Sequence, residues 1–266
     1  VHFTGAIDDV PAALRALVAR SRTRTSDVGG DPVKISSSYY GPEQEAEISA
    51  TLERLDHGPE MSALSVYVAT PTEIAETCGG TVIACYIPSE MEMVVSGVDR
   101  PVDGVPRDFA IAHEYGHHIA GSQRGDLYPA IEAGTIRWAT YERVCQFTRS
   151  RRLFPGNQGA HYWQDPEEAF AESYAHLTDP ESPVSWQYTP LLAPTGPSLA
   201  KIQADLSRPW SGPVSEEVSG TVAEPIAAAR PRRAAGPAGT ALDGAVAVSG
   251  PGPFSRLVAT PLDGRV

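Results

Sequence analysis

The amino-acid sequence predicts an α+β fold in which a group of short strands precedes the helices that carry the candidate functional residues. Runs rich in β-branched and aromatic residues predict three strands, at 62–70, 81–88 and 90–97. Apolar residues spaced three and four apart predict three helices, at 106–121, 127–153 and 166–178. Strands and helices that are grouped along the chain in this way are typical of the α+β class.

The segment before these strands is predicted to form two helices and a short strand. Residues 8–20 carry apolar residues at helical spacing behind an acidic start marked by proline. The run SSSYYG at 36–41 is predicted to be a strand. Residues 41–58 begin with proline and acids and end in glycine, which is a helix signature.

The later elements have clear boundaries in the sequence. The last two strands are close enough along the chain to form a hairpin. Residues 154–165 are predicted to be a loop. The helix at 166–178 has proline in its first turn and Asp165 as its expected N-cap. Residues 198–207 close the helical part.

The chain is predicted to divide at about residue 212. Residues 1–211 contain all the predicted helices and form the first domain. Beyond them Gly, Pro, Ala and Ser dominate without a helical period, and the basic run RPRR at 230–233 lies in this stretch. The final run FSRLVATPLDGRV is typical of a strand and a DG turn. Residues 212–266 are therefore predicted to be a linker and the start of a truncated β-rich domain, with a disordered tail as the alternative.

The composition argues against several classes of protein. The net charge is -12, which is unfavourable for a nucleic-acid binder. No stretch approaches the roughly 20 apolar residues that span a bilayer, so no membrane span is expected. The first twenty residues lack the pattern of a signal peptide. Because the chain begins at Val1, we expect a mature, secreted protein whose leader is absent from this sequence.

The three cysteines are not expected to form a thiolate zinc site. Cys78, Cys85 and Cys145 show neither a CxxC pair nor a Cys/His cluster of the zinc-finger type. A local disulfide between Cys78 and Cys85 is expected if the protein is exported, with buried reduced thiols as the alternative. Cys145 is then the odd thiol.

His113, Glu114 and His117 form the motif His-Glu-x-x-His on a predicted helix. Residues four apart share one helix face, so both imidazoles can reach one ion, while Glu114 lies about 100° round the helix and can address a bound water. This is the chemistry of zinc hydrolases, in which zinc lowers the pKa of its water toward about 7 and the carboxylate removes a proton. The alternative is a surface helix with hydrogen-bonded histidines. His118 is rotated from His117 and is not expected to share the metal.

A catalytic zinc needs a third protein ligand. The metzincin form of the motif requires a glycine and a histidine where this chain has Ala120 and Gln123. A later helix supplies an alternative, because Glu168 can bind the metal while Glu172, one turn on, accepts a hydrogen bond from the outer nitrogen of a ligand histidine. Glu167 is the competing ligand, but no carboxylate follows it one turn later.

The runs HEYGH at His113 and EAFAE at Glu168 resemble those of the gluzincin metallopeptidases, the thermolysin-like clan in which a glutamate on a downstream helix is the third ligand. In wording they are most similar to the lethal-factor-like zinc proteases, and similar to a group of secreted metallopeptidases of high-GC bacteria. The resemblance covers roughly residues 62–177. It implies a zincin-like domain with one zinc per chain, a mixed sheet above the active-site helix, and an edge strand that pairs with extended substrate.

The resemblance also implies a residue that stabilises the oxyanion. Lethal-factor-like enzymes have a tyrosine two helical turns before the glutamate ligand, where this chain has His161 with Tyr162 beside it. Either side chain can donate to an oxyanion, and Tyr162 is preferred; ordinary packing of the loop is the alternative.

The expected function is zinc-dependent hydrolysis of peptide bonds in a peptide or protein substrate, with Glu114 as the general base. One alternative is a catalytically idle zincin-like binding domain, although such a domain has no need of Glu114. The other is a zinc hydrolase of a non-peptide amide or ester, which uses the same water-activating chemistry.

Overall fold

The computed structural model describes residues 11–79, 82–102, 104–122, 134–157, 159–209, 244–249 and 256–261. Within these ranges the protein combines eight α-helices with a five-stranded mixed sheet and a two-stranded sheet, which is consistent with the predicted α+β class. No helix in the described ranges is long and apolar enough to cross a membrane.

The main sheet has a parallel centre and antiparallel edges. Its strands are β1 (Arg22–Val28), β2 (Asp31–Ser37), β3 (Ser65–Ala69), β4 (Cys85–Ile87) and β5 (Glu92–Ser96). The order across the sheet is β1-β2-β3-β5-β4. Strands β2, β3 and β5 run parallel, while β1 and β4 pair antiparallel with their neighbours at the two edges. The second sheet pairs β6 (Gly244–Ser249) antiparallel with β7 (Arg256–Pro261).

The helices lie before, between and after the strands. They are α1 (Ala12–Arg20), α2 (Pro42–Glu53), α3 (Pro71–Cys78), α4 (Arg107–Ser122), α5 (Ile136–Tyr141), α6 (Val144–Arg149), α7 (Pro166–Thr178) and α8 (Gly196–Ser207). The helices α4 and α7 make the most extensive contact between helices in the described chain.

The main sheet separates two apolar clusters. Alternate residues of a strand point to opposite faces, so Val66 and Val68 of β3 join the larger cluster, which contains the apolar residues of α4 and α7. Tyr67 and Ala69 point the other way and join the smaller cluster with α1 and α3. The helix α4 therefore lies between the sheet and α7, with almost all its residues buried.

Several predicted elements are confirmed. The helices expected at 8–20, 106–121 and 166–178 correspond to α1, α4 and α7. The Oδ1 atom of Asp165 accepts a hydrogen bond of 3.0 Å from the backbone N–H of Glu167, as expected of an N-cap. The expected hairpin is the antiparallel pair β4–β5.

The strand predicted at 36–41 was placed too late. Strand β2 ends at Ser37, and it forms a hairpin with β1, which the sequence analysis missed. Strand β1 was missed because its side chains are polar and mostly exposed, so it shows no apolar alternation. The clearer sequence signal for this hairpin is the Gly29-Gly30 pair between the two strands. Both glycines have positive φ angles, which suit a tight hairpin turn.

Two boundaries and one helix between residues 41 and 78 also differ from prediction. The helix expected to reach residue 58 ends at Glu53, and the strand expected from residue 62 begins at Ser65, after a 3-10 turn at Pro59–Ala63. Helix α3 was missed, although its capping box is visible in the sequence. Thr70 accepts from the backbone N–H of Glu73, and the Glu73 carboxylate accepts from the N–H of Thr70.

The prediction of a single helix over 127–153 is wrong. Two short helices, α5 and α6, occupy its second half, because Arg143 adopts a left-handed conformation with φ 56° that interrupts the helix. Residues 123–133 lie outside the described chain. A 3-10 turn at Tyr162–Gln164 lies within the predicted loop.

The C-terminal predictions are tested only in part. Strand β7 agrees with the strand expected near the end of the chain. The DG turn that follows it and the basic run at 230–233 lie outside the described residues.

A disulfide joins Cys78, at the end of α3, to Cys85, at the start of β4. Their Cα atoms are 5.9 Å apart. Cys145 is a half-buried free thiol, and burial raises its pKa. The disulfide therefore fastens the edge strand β4 to the helix on one face of the sheet.

We expect Glu92→Gln to stabilise the protein only at high pH. Burial, with a smaller contribution from Glu90, raises the pKa of Glu92 from 4.5 to about 7. The folded state therefore holds this proton more tightly than the unfolded state, and the resulting stability is lost as the pH rises from 4.5 through about 7. The variant should gain about 3 kcal/mol in the free energy of unfolding at pH 8 and almost nothing at pH 4. Urea unfolding at both values checks this, with exposed Glu53→Gln as control; an equal gain at both pH values contradicts it.

Candidate metal centre

The candidate centre is built by two helices that approach closely. Helix α4 carries His113, Glu114 and His117, and α7 carries Glu168. Gly116 allows the approach, because a Cβ atom there would lie 2.7 Å from the Cα atom of Ala171 on α7. Because Gly116 has no side chain, α4 and α7 pack closely enough for the Glu168 carboxylate to reach the two histidines.

The side chains of His113, His117 and Glu168 converge. One ligand atom from each lies within 4.8 Å of the other two. The Nε2 atom of His113 is 3.4 Å from Oε2 of Glu168, and the Nε2 atom of His117 is 3.8 Å from Oε1 of the same carboxylate. All three side chains are buried.

The outer nitrogens of both histidines face carboxylates. The Nδ1 atom of His113 lies 3.1 Å from Oε2 of Glu172, which is the arrangement expected from the sequence. The Nδ1 atom of His117 lies 3.4 Å from Oε1 of Glu167. The structure thus places Glu167, the competing ligand of the sequence analysis, beside the outer nitrogen of His117. The sequence offered no signal for this contact, because it depends on how the two helices face each other.

The electrostatics of the centre favour a cation. The buried acidic side chains around the two histidines are Glu114, Glu167, Glu168 and Glu172. Burial lowers the pKa of His113, but hydrogen bonds with two carboxylates outweigh it and raise that pKa to about 10. A proton on His113 therefore partly balances the buried carboxylates. A divalent ion bound by these donors would supply the same balance with a larger charge.

The other two candidate ligands, Glu168 and His117, also suit a metal. Burial raises the pKa of Glu168, but hydrogen bonding with His113 and electrostatic interactions with the two imidazoles outweigh it and lower that pKa, so its carboxylate is ionised. Burial lowers the pKa of His117, which keeps its imidazole neutral. The Nε2 atom of His117 is buried and has no hydrogen-bond partner among the described residues. A neutral imidazole nitrogen without a partner, aimed at a carboxylate, is a suitable metal ligand.

Glu114 stands apart from the other acids of the centre. Its side chain is buried, and neither carboxylate oxygen has a hydrogen-bond partner within the described chain. Burial raises the pKa of Glu114 to about 7, although the two neighbouring histidines oppose the shift. A carboxylate in this state can accept a proton at neutral pH and release it again.

Two phenols contact the third candidate ligand. The hydroxyl of Tyr162 donates to Oε2 of Glu168 at 2.9 Å, and that of Tyr188 donates to the same oxygen at 3.2 Å. His161, the alternative to Tyr162, is exposed and stacks on the ring of Phe154 at 3.8 Å. The sequence analysis missed Tyr188, which lies outside every predicted element and 20 residues beyond Glu168.

His118 lies outside the cluster and stabilises the other side of α4. Its Nε2 atom is 3.0 Å from the backbone oxygen of Glu60, and its Nδ1 atom is 3.0 Å from the hydroxyl of Tyr86. Because a carbonyl only accepts, Nε2 carries the proton and Nδ1 accepts from the phenol. His118 thereby connects the edge strand β4 to the helix of the motif.

We expect Gly116→Ala to weaken both folding and metal binding. The added Cβ meets the backbone of Ala171, so α4 and α7 must move apart and Glu168 moves away from the histidines. A loss of about 1–3 kcal/mol in the free energy of unfolding is expected from such overpacking. Gly121→Ala on the same helix is the control, because its Cβ meets only the ring of Tyr86 at 3.4 Å. Equal unfolding curves and equal zinc affinities for the two variants contradict the prediction.

Comparison of the chain with models of protein families, with curated proteins and with solved structures found no match. The class of the site therefore rests on its geometry alone. The structure defines a buried cluster of two histidines and one glutamate that could hold a metal ion.

Proposed function

We propose that the chain is a zinc-dependent peptidase of the gluzincin type. In this proposal His113, His117 and Glu168 hold one zinc ion. The observation that carries it is the convergence of the three ligand atoms within 4.8 Å, with Glu114 on the same helix turn buried and without a hydrogen-bond partner in the described chain. A metal site that only stabilises the fold has no need of such a carboxylate.

Zinc is the metal that fits this set of donors. Two imidazole nitrogens and one carboxylate oxygen form the set found in several zinc hydrolases, and three protein ligands leave a fourth position open. Sites for magnesium and calcium are instead built from oxygen ligands. When bound, zinc makes water more acidic and polarises a carbonyl group.

The residues of the chain then have distinct tasks. Glu114 takes a proton from the attacking water and passes it to the leaving amine, which its pKa near 7 allows. Glu172 accepts a hydrogen bond from the outer nitrogen of His113, and Glu167 faces that of His117, so both rings keep their orientation. The hydroxyl of Tyr162 donates a hydrogen bond to the substrate oxygen on which negative charge develops.

A peptide is the proposed substrate because of the sheet edge. Strand β4 is one of the two edge strands, and it is the one connected to the motif helix through the contact between Tyr86 and His118. An extended peptide that pairs with β4 would lie along α4. The Cys78–Cys85 disulfide fits an oxidising compartment, so we propose that the protein acts outside the cell.

A second candidate is a zinc site without catalysis. The side chains of His113, Glu114 and Glu168 are 0% exposed, which also suits an ion that only stabilises the fold. Glu114 separates the two functions, because an ion of that kind has no use for a general base.

The proposed activity can be tested with a library of unstructured peptides. The zinc-loaded full chain should cleave a subset of them, lose this activity in a chelator, and regain it with zinc but not with magnesium. Mass spectrometry of the products gives the cleaved bonds. Zinc-loaded protein that leaves every peptide intact argues for the non-catalytic site or for a non-peptide substrate.

A further inference from the structure

Three exposed arginines form a cationic surface near the turn that carries Tyr162. Residues 143–164 contain four arginines and neither aspartate nor glutamate, in a chain whose net charge is -12. Arg149 is the last residue of α6, and Arg151 and Arg152 follow directly after it. All three side chains are exposed. We call Arg149, Arg151 and Arg152 the arginine turn.

The charges of the arginine turn are not neutralised by acids within the described chain. The arginines that form salt bridges there are Arg54, Arg107 and Arg137. The guanidinium of Arg152 lies 4.8 Å from the centre of the Phe147 ring, a contact that orients it and leaves its charge in place. The arginine turn can therefore attract carboxylates from solution.

The backbone connects the arginine turn to the candidate metal centre. The N–H of Phe154, two residues after Arg152, donates to the carbonyl of Gln164 at 3.1 Å. The Phe154 ring stacks on that of His161, with the centroids 3.8 Å apart. The next residue, Tyr162, donates its hydroxyl to the third candidate ligand. Because two residues span at most about 7 Å, the arginine turn lies beside the segment that carries Tyr162.

Arg151 has a backbone conformation that favours glycine. Its φ angle is 56°, in the left-handed region, where the Cβ atom of an arginine is crowded. Glycine or asparagine adopts this conformation more easily. An arginine at such a position, next to a second arginine, indicates that the side chain has a use that offsets the local strain.

We propose that the arginine turn binds acidic residues of the peptide substrate, so that peptides with glutamate or aspartate near the cleaved bond are preferred. The inference rests on the proposed function, because it names the class of peptide that the metal centre cleaves. Each guanidinium can form paired hydrogen bonds with a carboxylate. Because the chain as a whole is negative, this cationic surface would also determine where an acidic peptide lies.

Peptide binding tests the surface without cleavage. A fluorescent peptide rich in glutamate, and a matched peptide with glutamine in its place, are titrated into zinc-supplied Glu114→Gln full chain, and anisotropy is measured. The acidic peptide should bind about tenfold more tightly at low salt and lose this advantage at about 0.5 M salt.

Variants of the arginine turn locate the binding. Arg149→Gln, Arg151→Gln and Arg152→Gln, added together to the Glu114→Gln chain, should abolish the advantage, since each exposed ion pair is worth about 1.5- to 5-fold. Arg24→Gln, exposed on β1 at the far edge of the main sheet, is the matched control and should keep it.

Arg151→Asn separates peptide binding from folding. Asparagine suits the left-handed conformation, so thermal unfolding should show a protein at least as stable as its parent. Its affinity for the acidic peptide should nevertheless fall by about 1.5- to 5-fold, and its affinity for the neutral peptide should not change. A loss of affinity for both peptides would mean that Arg151 only supports the fold.

The kinetics connect the surface to the metal centre. If wild type cleaves peptides, its kcat/KM should be about tenfold higher for the acidic peptide, mainly through KM, and the triple variant should cleave both alike. If wild type cleaves neither, the proposed function fails, while tighter binding of the acidic peptide that depends on the three arginines still supports the surface. Equal binding of the two peptides overturns the proposal, as does a triple variant that keeps the preference.

Discussion

Glu114→Gln protein should bind zinc as tightly as wild type and lose peptide hydrolysis by about 10³-fold. The amide cannot accept the proton of the attacking water, while the three ligand side chains are unchanged. The effect should appear in kcat, because Glu114 acts on the reacting water and not on substrate binding. The shape of the side chain is conserved, so the buried position should tolerate the change.

Two measurements on the same preparation check this result. Zinc content per chain should equal that of wild type, and the rate on a cleaved peptide should fall to the limit of detection. Exposed Glu53→Gln on α2 serves as the control for an ordinary glutamate. Full activity in Glu114→Gln protein would remove the general base from the account while leaving the metal site intact.

Glu168→Ala should weaken zinc binding by at least about 100-fold, more than the loss of an outer hydrogen bond would. Both carboxylate oxygens face the histidines, at 3.4 Å from His113 and 3.8 Å from His117, so the change removes a charged donor from the centre of the cluster. Activity should fall with the metal and return only in part at high zinc concentration.

Glu167→Ala is the matched control for this change. The two glutamates are adjacent on α7, but the Glu167 carboxylate lies beside the outer nitrogen of His117, at 3.4 Å. Its loss should cost about tenfold in zinc affinity. Zinc binding that survives Glu168→Ala and disappears in Glu167→Ala would exchange the roles of the two residues.

The elements that frame the site could be predicted because their signals are local. Helix α7 has proline in its first turn and Asp165 as N-cap, and its bounds were predicted without error. Helix α4 contains a run of apolar residues around the motif, and almost all of its residues are buried. Strand β1 and helix α5 were harder, because a polar edge strand has no apolar alternation and the left-handed residue Arg143 interrupts an otherwise helical pattern.

The inner residues of the site were predictable for the same reason, and the outer ones were not. His113, Glu114 and His117 are fixed relative to one another by one helix, and Glu168 and Glu172 by another. The contact between Glu167 and His117 depends on the rotation of two helices about their axes, which Gly116 and Ala171 set by close packing. Tyr188 reaches Glu168 from a segment with no regular structure, where sequence spacing gives no distance.

The metal content of the wild-type full chain tests the central claim most directly. The protein should be prepared without a histidine tag, supplied with zinc, and dialysed before the metal is measured by mass spectrometry. The account predicts about one zinc per chain, and about none in Glu168→Ala protein prepared in parallel. Wild-type protein that holds no zinc after this treatment would contradict the assignment of His113, His117 and Glu168 as ligands.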